Sequence, residues 1–409
     1  MRRSVTIDRL GHQGDGIAEG SLFAPRTLPG EGVSGVPDGN TLTEIRVETP
    51  SAHRVQPPCR HYKSCGGCQL QHADDGFVAD WKLDIVRHAL AAQGLETELR
   101  PIHTSPPRSR RRATLAVRRT KKGAMAGFHG RASGVITEIP ECHLLHPALI
   151  AAIPAAEALA LTGASRKAPL AVTLTVSEIG LDVLVRNGKP LDSQLRIDLA
   201  GLVDRFKMAR LVWDDELIAM EQPPTQPFGP AHVCPPAGAF LQATKDGEAA
   251  LLAGVREIVG DAGKIIDLFA GCGTFSLPLA TRAEVHAVEG EDEMIRALDA
   301  GWRKAAGTKK VTSEVRDLFR RPVLPDELNP FGAAFDAAVI DPPRAGAEAQ
   351  IAELAKAKTP IIAYVSCNPI TFARDAKTLV SAGYTLNWVQ TVDQFRWSAH
   401  TELVASFTL

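Results

Sequence analysis

From residue 245 to the C-terminus the sequence alternates between two patterns. Apolar runs of strand length ("KIIDLFA", "AEVHAVEG", "AAVIDPP", "PIIAYVSC") are separated by helix-length stretches with apolar residues at three- and four-residue spacing. The segments read as helix 245–259, strand 264–269, helix 274–282, strand 284–289, helix 291–305, strands 311–316 and 335–340, helix 346–356, strand 360–366, helix 370–382 and two closing strands. Strand–helix alternation of this kind permits few solutions, and the expected one is a doubly wound, largely parallel α/β sheet. Such sheets bind ligands at the carboxyl ends of their strands, so the residues at those ends carry the information.

The first turn reads "IIDLFAGCGTFSLPLA" (265–280). Gly271 and Gly273 allow a tight turn and close approach to a ligand, and Ser276 stands where a dinucleotide fingerprint has its third glycine. The second strand ends at Glu289, eighteen residues after Gly271, where a carboxylate can accept from both ribose hydroxyls of a nucleoside. Asp317 ends the third strand and is placed to hold an adenine amino group. Together these strand ends suit S-adenosylmethionine (SAM) better than NAD. Asp341 ends the fourth strand in "DPPRAG", with Arg344 where amino-group methyltransferases have an aromatic. Cys367 ends the fifth in "VSCNP". Beside a methyl donor, a thiolate can add to C6 of a uracil ring and make C5 nucleophilic, after which a base must remove the C5 proton. Glu402, in "AHTELV", is the candidate base.

At these residues the sequence resembles the SAM-dependent RNA uracil-C5 methyltransferases. The matches are "FLQ" (240–242), "DLFAGCGTF", "VEG", "DPPRAG", "SCNP" and "HTE". The resemblance implies a Rossmann-like methyltransferase domain with Cys367 as nucleophile and Glu402 as general base. Gln242, Phe269, Thr274, Glu289, Asp317 and Asp341 would line the pocket for SAM and uracil. Two positions depart from the family pattern: Arg396 stands where Pro is usual after Phe395, and Thr274 where Asn is usual.

The N-terminal half is less regular. "PPCRHYKSCGGCQLQH" spaces Cys59, Cys65 and Cys68 as C-x5-C-x2-C, which suits a metal centre and excludes the C-x3-C-x2-C radical-SAM pattern. Cys142, in "PECHLLHP", is the expected fourth ligand and Cys234 the second choice. Spacing alone leaves zinc open, whereas the resemblance implies a [4Fe-4S] cluster, as in the ribosomal-RNA members of the family. "RSRRRATLAVRRTKK" (108–122) carries eight basic residues in fifteen and no acid, in a chain whose net charge is −1. It is expected to form a hairpin presenting those charges to RNA phosphates. Residues 1–55 resemble an abbreviated TRAM domain, an OB-like β-barrel.

The expected architecture is therefore a barrel (1–55), a cysteine-bearing central α+β domain (56–235) and a methyltransferase domain (236–409). The family resemblance implies that the helix over 77–92 packs on the last of these, and the proline-rich stretch 221–238 reads as a linker. The expected substrate is RNA, ribosomal RNA ahead of transfer RNA, and the expected state is a monomer with no obligate protein partner. Seven cysteines, no secretory leader pattern and no membrane-length apolar run point to a reduced cytoplasm. Two other readings remain: a methyltransferase acting on an amino group or small molecule, for which Cys367 and Glu402 would be dispensable, and a non-catalytic, cluster-bearing RNA-binding protein.

Overall fold

The computed structural model describes residues 1–329 and 334–409. Five short strands, Arg3–Leu10, Gly16–Ala18, Leu22–Ala24, Gly32–Asp38 and Thr41–Thr49, close into a barrel. Its core is small, consisting of Ile7, Ala18, Leu22, Ala24, Val33 and Leu42, as a barrel of this size requires.

A seven-stranded sheet follows, built on the basic segment. Arg112–Arg119 pairs antiparallel with Ala124–His129, which is the expected hairpin. Its charges, however, are not presented together. Arg111 is 2% exposed, donates to the Gln242 carbonyl at 3.0 Å and pairs with Glu248 of the following helix. Arg112 donates to the Gly238 carbonyl at 2.8 Å. Arg111, just before the strand, and Arg112, its first residue, thus clasp the C-terminal half. Arg108, Lys121 and Lys122 stay exposed.

The C-terminal sheet has eight strands in the order Val311–Val315, Glu284–Glu289, Lys264–Leu268, Ala337–Ile340, Ile361–Ser366, Glu402–Thr408, Thr385–Asp393 and Glu98–Thr104. The first five are parallel, and Glu402–Thr408 enters antiparallel between Ile361–Ser366 and Thr385–Asp393. Apolar clusters cover both faces, which is why these strands read as continuous hydrophobic runs.

Three segments differ from the sequence reading. Glu98–Thr104 was expected in the central domain but extends this sheet at its edge, parallel to Thr385–Asp393. The supposed linker contains a hairpin, Gln226–Phe228 with Ala231–Val233, and its Phe228, Ala231 and Val233 are buried in the core of the C-terminal half. The helix expected over 274–282 is the single turn Ser276–Leu279, because the glycine turn occupies the residues before it.

Helix Asp75–Ala92 is capped by Asp74, whose side chain accepts from the Phe77 N–H at 2.8 Å. It buries Val86 and Leu90 against the same face of the sheet as Ile266, Leu268 and Tyr364. No helix among the described residues is long and apolar enough to cross a membrane.

Candidate active site

The sequence Ser366-Cys367-Asn368-Pro369 builds a strand-to-helix elbow. The Asn368 side chain caps helix Pro369–Ser381, accepting from the Ile370 N–H at 3.1 Å, and Pro369 occupies its first turn. The Asn368 amide also donates to the Arg344 carbonyl at 2.9 Å, tying this elbow to the Asp341-Pro342-Pro343-Arg344 turn on the neighbouring strand. Cys367 is left half-buried at the crest. The antiparallel ladder ends at Ser366 opposite Leu403, and the two chains leave it toward the same cavity, where the Glu402 charge acts on the Cys367 thiol.

These strand ends surround a cavity of about 760 Å³. Cys367, Glu402, Gln242, Phe269, Thr274, Glu289, Asp317 and Asp341 all line it. Arg110, Phe240, Phe319, Arg344, Phe395 and His400 complete much of the wall. At one end, Glu289 accepts from the Gly271 N–H at 2.9 Å and the Gly290 N–H at 2.6 Å, which locks the glycine turn. Phe269 takes a left-handed conformation (φ 63°) that costs a non-glycine residue about 1–2 kcal/mol. It places the Phe269 ring 5.4 Å from that of Phe319, forming an aromatic lip. Gly273 (φ 91°) packs so tightly that an added Cβ would lie 2.9 Å from Leu277 Cγ. Asp317 accepts from the Phe319 N–H at 3.0 Å.

At the other end, amides orient the carboxylates. The Gln394 amide nitrogen donates to both Glu402 and the Gln242 side-chain oxygen, and the Gln242 amide donates to Asp341 at 3.3 Å. Burial dominates the electrostatics. The Glu402 carboxyl is pushed up to about 8 by desolvation and then by the charge of Asp341. Asp341 rises to about 7 through burial and the charges of Asp267 and Glu289. Cys367 is raised to about 11 by burial, then by Glu402 and Asp341, against a smaller pull from Arg344. A carboxyl-lined, largely apolar cavity of this kind favours a cationic ligand, and a positive charge placed there lowers all three values.

Arg396 points away from the cavity. It pairs with Asp75 on helix Asp75–Ala92 and donates to the Ser105 carbonyl at 3.4 Å, so the departure from the family pattern serves to anchor the loop. Lys82, Arg110 and Gln394 were missed from sequence. Lys82 had a signal: it stands in the helix's buried row Val78, Lys82, Val86, Leu90, where a charge needs a buried partner.

All seven cysteines are free. Cys59, Cys65, Cys68 and Cys142 lie close enough to act on one another, and Cys65 and Cys142 pack against the core of the seven-stranded sheet. Burial raises Cys65, Cys68 (to about 12) and Cys142, and each is pushed further by the charges of others in the group. Cys234 lies apart, 3.9 Å from Arg210, and does not join them. Among the described residues no three His, Cys, Asp or Glu side chains converge on a point that could hold one metal ion.

The parallel sheet, the glycine turn clasped by an acid on the second strand and the acid-lined cavity define a SAM-dependent methyltransferase. The model of the family described as tRNA (Uracil-5-)-methyltransferase matches residues 309–406, the stretch that contains Asp317, Asp341, Cys367 and Glu402. A Rhizobium meliloti protein named as an uncharacterized RNA methyltransferase is 43% identical, the alignment covering 98% of each chain. The 23S rRNA (uracil(1939)-C(5))-methyltransferase RlmD of Halomonas elongata is 33% identical over 98% of this chain and 88% of its own. The chain belongs to the RNA uracil-C5 methyltransferase family. Its fold is that of the Pyrococcus abyssi tRNA (uracil-54, C5)-methyltransferase solved with S-adenosyl-L-homocysteine, at a TM-score of 0.75, 23% identity and 99% coverage of both chains.

Proposed function

We propose that this chain methylates C5 of a uridine in 23S ribosomal RNA, with Cys367 as nucleophile and Glu402 as base. The observation that carries the reading is that both side chains line the same acid-lined cavity, close enough for the Glu402 charge to act on the Cys367 thiol. The Cys367 thiolate adds to C6 of a uracil turned out of the RNA, and the resulting enolate takes the methyl group of SAM at C5. The Glu402 carboxylate then removes the C5 proton, the C5–H electron pair restores the ring double bond, and the C6–S bond breaks to free the thiolate. Glu289 and Asp317 are proposed to hold the ribose and adenine of SAM, with Phe269 and Thr274 beside them. Gln242 and Asp341 face the uracil. The donor's sulfonium charge lowers the Glu402 and Cys367 values when it binds, which favours donor binding before chemistry.

Ribosomal RNA is preferred because the chain is 33% identical to RlmD over 98% of its length, against 23% to the transfer-RNA enzyme over 99%. The test uses 5-fluorouridine-substituted fragments of 23S RNA and of transfer RNA, each incubated with the protein and SAM. Fluorine cannot be removed as a cation, so the reaction stalls as a covalent protein–RNA adduct. The adduct is expected on the 23S fragment. An adduct on transfer RNA alone would reverse the substrate assignment, and methyl transfer to unsubstituted RNA with no adduct on any substituted RNA would sink the uracil-C5 mechanism.

Cys59, Cys65, Cys68 and Cys142 are proposed to hold a [4Fe-4S] cluster. Their C-x5-C-x2-C spacing and the charges they exert on one another support a shared ligand, and the family resemblance favours the cluster over zinc. Nearby Arg26 and Arg110 offset the charge of the thiolates. A cluster there would brace the segment around the cysteines, and no step of the methyl transfer requires its electrons. Protein purified without oxygen is expected to carry iron and acid-labile sulfide in equal amounts, and Cys68→Ser is expected to lose both. Stoichiometric zinc with no sulfide would overturn the assignment.

A further inference from the structure

The loop from Asp393 to His400 leaves the sheet between strands Thr385–Asp393 and Glu402–Thr408 and walls the cavity with Phe395 and His400. What holds its two ends is not part of the C-terminal half of the sequence. Lys82, in the middle of helix Asp75–Ala92, is fully buried against it, its side chain 0% exposed. Its ammonium donates to Asp393 Oδ1 at 2.6 Å, to the His400 carbonyl at 2.9 Å and to the Phe395 carbonyl at 3.3 Å. Three acceptors meet the three donors of an ammonium group. The same Asp393 oxygen accepts from the Phe395 N–H at 3.0 Å. One cation therefore ties the strand end to both ends of the loop.

Between those anchors sits Gln394, whose amide donates to Glu402 and whose carbonyl accepts from the Thr244 N–H at 3.3 Å. The orientation of the Glu402 carboxylate thus depends on a residue whose two chain neighbours are both fixed by Lys82. Cys367 does not depend on it. Its elbow is organised separately, by Asn368, Pro369 and the Arg344 carbonyl. A buried ion pair is also a poor way to gain stability alone, since apolar side chains of similar volume commonly do as well. What an apolar pair cannot do is gather two backbone carbonyls and a carboxylate at one point.

We propose that Lys82 is a positioning residue for the second half of the reaction. It holds the loop in the conformation from which Glu402 reaches the C5 proton, and it plays no part in thiolate addition or methyl transfer. The inference rests on the assignment of Cys367 and Glu402 above.

The experiment compares two rates in each variant. One is covalent adduct formation on 5-fluorouridine RNA with SAM, which reports addition and methyl transfer. The other is release of tritium from RNA carrying [5-³H]uridine, which also requires the proton to leave. Lys82→Met strands Asp393 without its cation and is expected to weaken the fold, so the decisive variant is the double substitution Lys82→Met with Asp393→Asn. That protein is expected to keep a wild-type melting temperature and form the adduct at close to the wild-type rate. Its tritium release is expected to fall about a hundredfold, the scale of loss for a catalytic group misplaced by an ångström.

A merely structural role lowers both rates together or neither. Either result in the double variant would overturn the proposal, as would its failure to fold, since the pair would then be holding the fold rather than the loop. A wild-type protein that forms no adduct, or an adduct that survives in Cys367→Ala, would instead strike the assignment of the nucleophile and remove both readings.

Discussion

Cys367→Ala is expected to fold, to bind SAM and RNA, and to transfer no measurable methyl group. The loss is placed at 10⁴-fold or more, on the order seen when a covalent nucleophile is deleted. The folding half of the expectation follows from position. Cys367 is half-buried on the cavity wall and belongs to neither apolar cluster of the sheet, so removing its sulfur opens no void in the core. The helix after it keeps its asparagine cap and its proline. The activity half follows from the substrate. C5 of uracil is too weakly nucleophilic to take a methyl group until a nucleophile has added at C6, and among the cysteines only Cys272 shares the cavity. Cys272 is 2% exposed, is pushed up to about 12 by burial, and lies 3.0 Å from the Met294 sulfur. It is not free to substitute. The measurement is methyl incorporation from labelled SAM beside the 5-fluorouridine adduct on a denaturing gel, and retention of either activity would remove Cys367 from the mechanism.

Glu402→Gln is expected to fail at a later point. Glutamine keeps the length and can still accept from Gln394, but it cannot take the C5 proton. Methyl transfer proceeds once, the methylated adduct cannot eliminate, and a covalent complex accumulates on ordinary uridine RNA. Turnover is expected to fall by roughly 10²–10⁴-fold, the usual contribution of a general base. The wild-type pH dependence carries the same assignment. Glu402 is raised to about 8 in the free cavity and acts only as the carboxylate. Because proton removal follows methyl transfer, it is kcat that should decline as the pH falls and Glu402 takes up a proton. A Glu402→Gln protein that turns over normally, without an adduct on natural RNA, would assign the proton to another group.

Much of this site could be read from the chain because its residues sit at strand ends. In a parallel sheet, Glu289, Asp341 and Cys367 each close an apolar run and Asp317 follows a more polar strand, and all these strands end on the same side. Local spacing was enough to find them, and the departures at Arg344 and Ser276 from neighbouring motifs narrowed the chemistry. The same logic misjudged segments whose surroundings are distant in sequence. The stretch 221–238 looks like a linker because of its prolines, yet its apolar residues complete a core supplied by helices further along the chain. The basic run 108–122 reads as a hairpin presenting all its charges to RNA phosphates, yet Arg111 and Arg112 grip the C-terminal half.

By itself the sequence determined the class of fold, because short-range period suffices for that, and through its family resemblance it put forward Cys367 and Glu402 as the reacting pair and four cysteines as ligands. The tertiary structure alone decided which groups meet. It inserted Glu402–Thr408 antiparallel beside Ile361–Ser366, which brings Glu402 and Cys367 to one cavity. It linked Glu402 to Gln394, Gln242 and Asp341, and brought Lys82 across 311 residues of chain to pin the loop between them. A buried charge or amide shows its purpose only through the partner that satisfies it, and that partner is chosen by packing, not by distance along the chain.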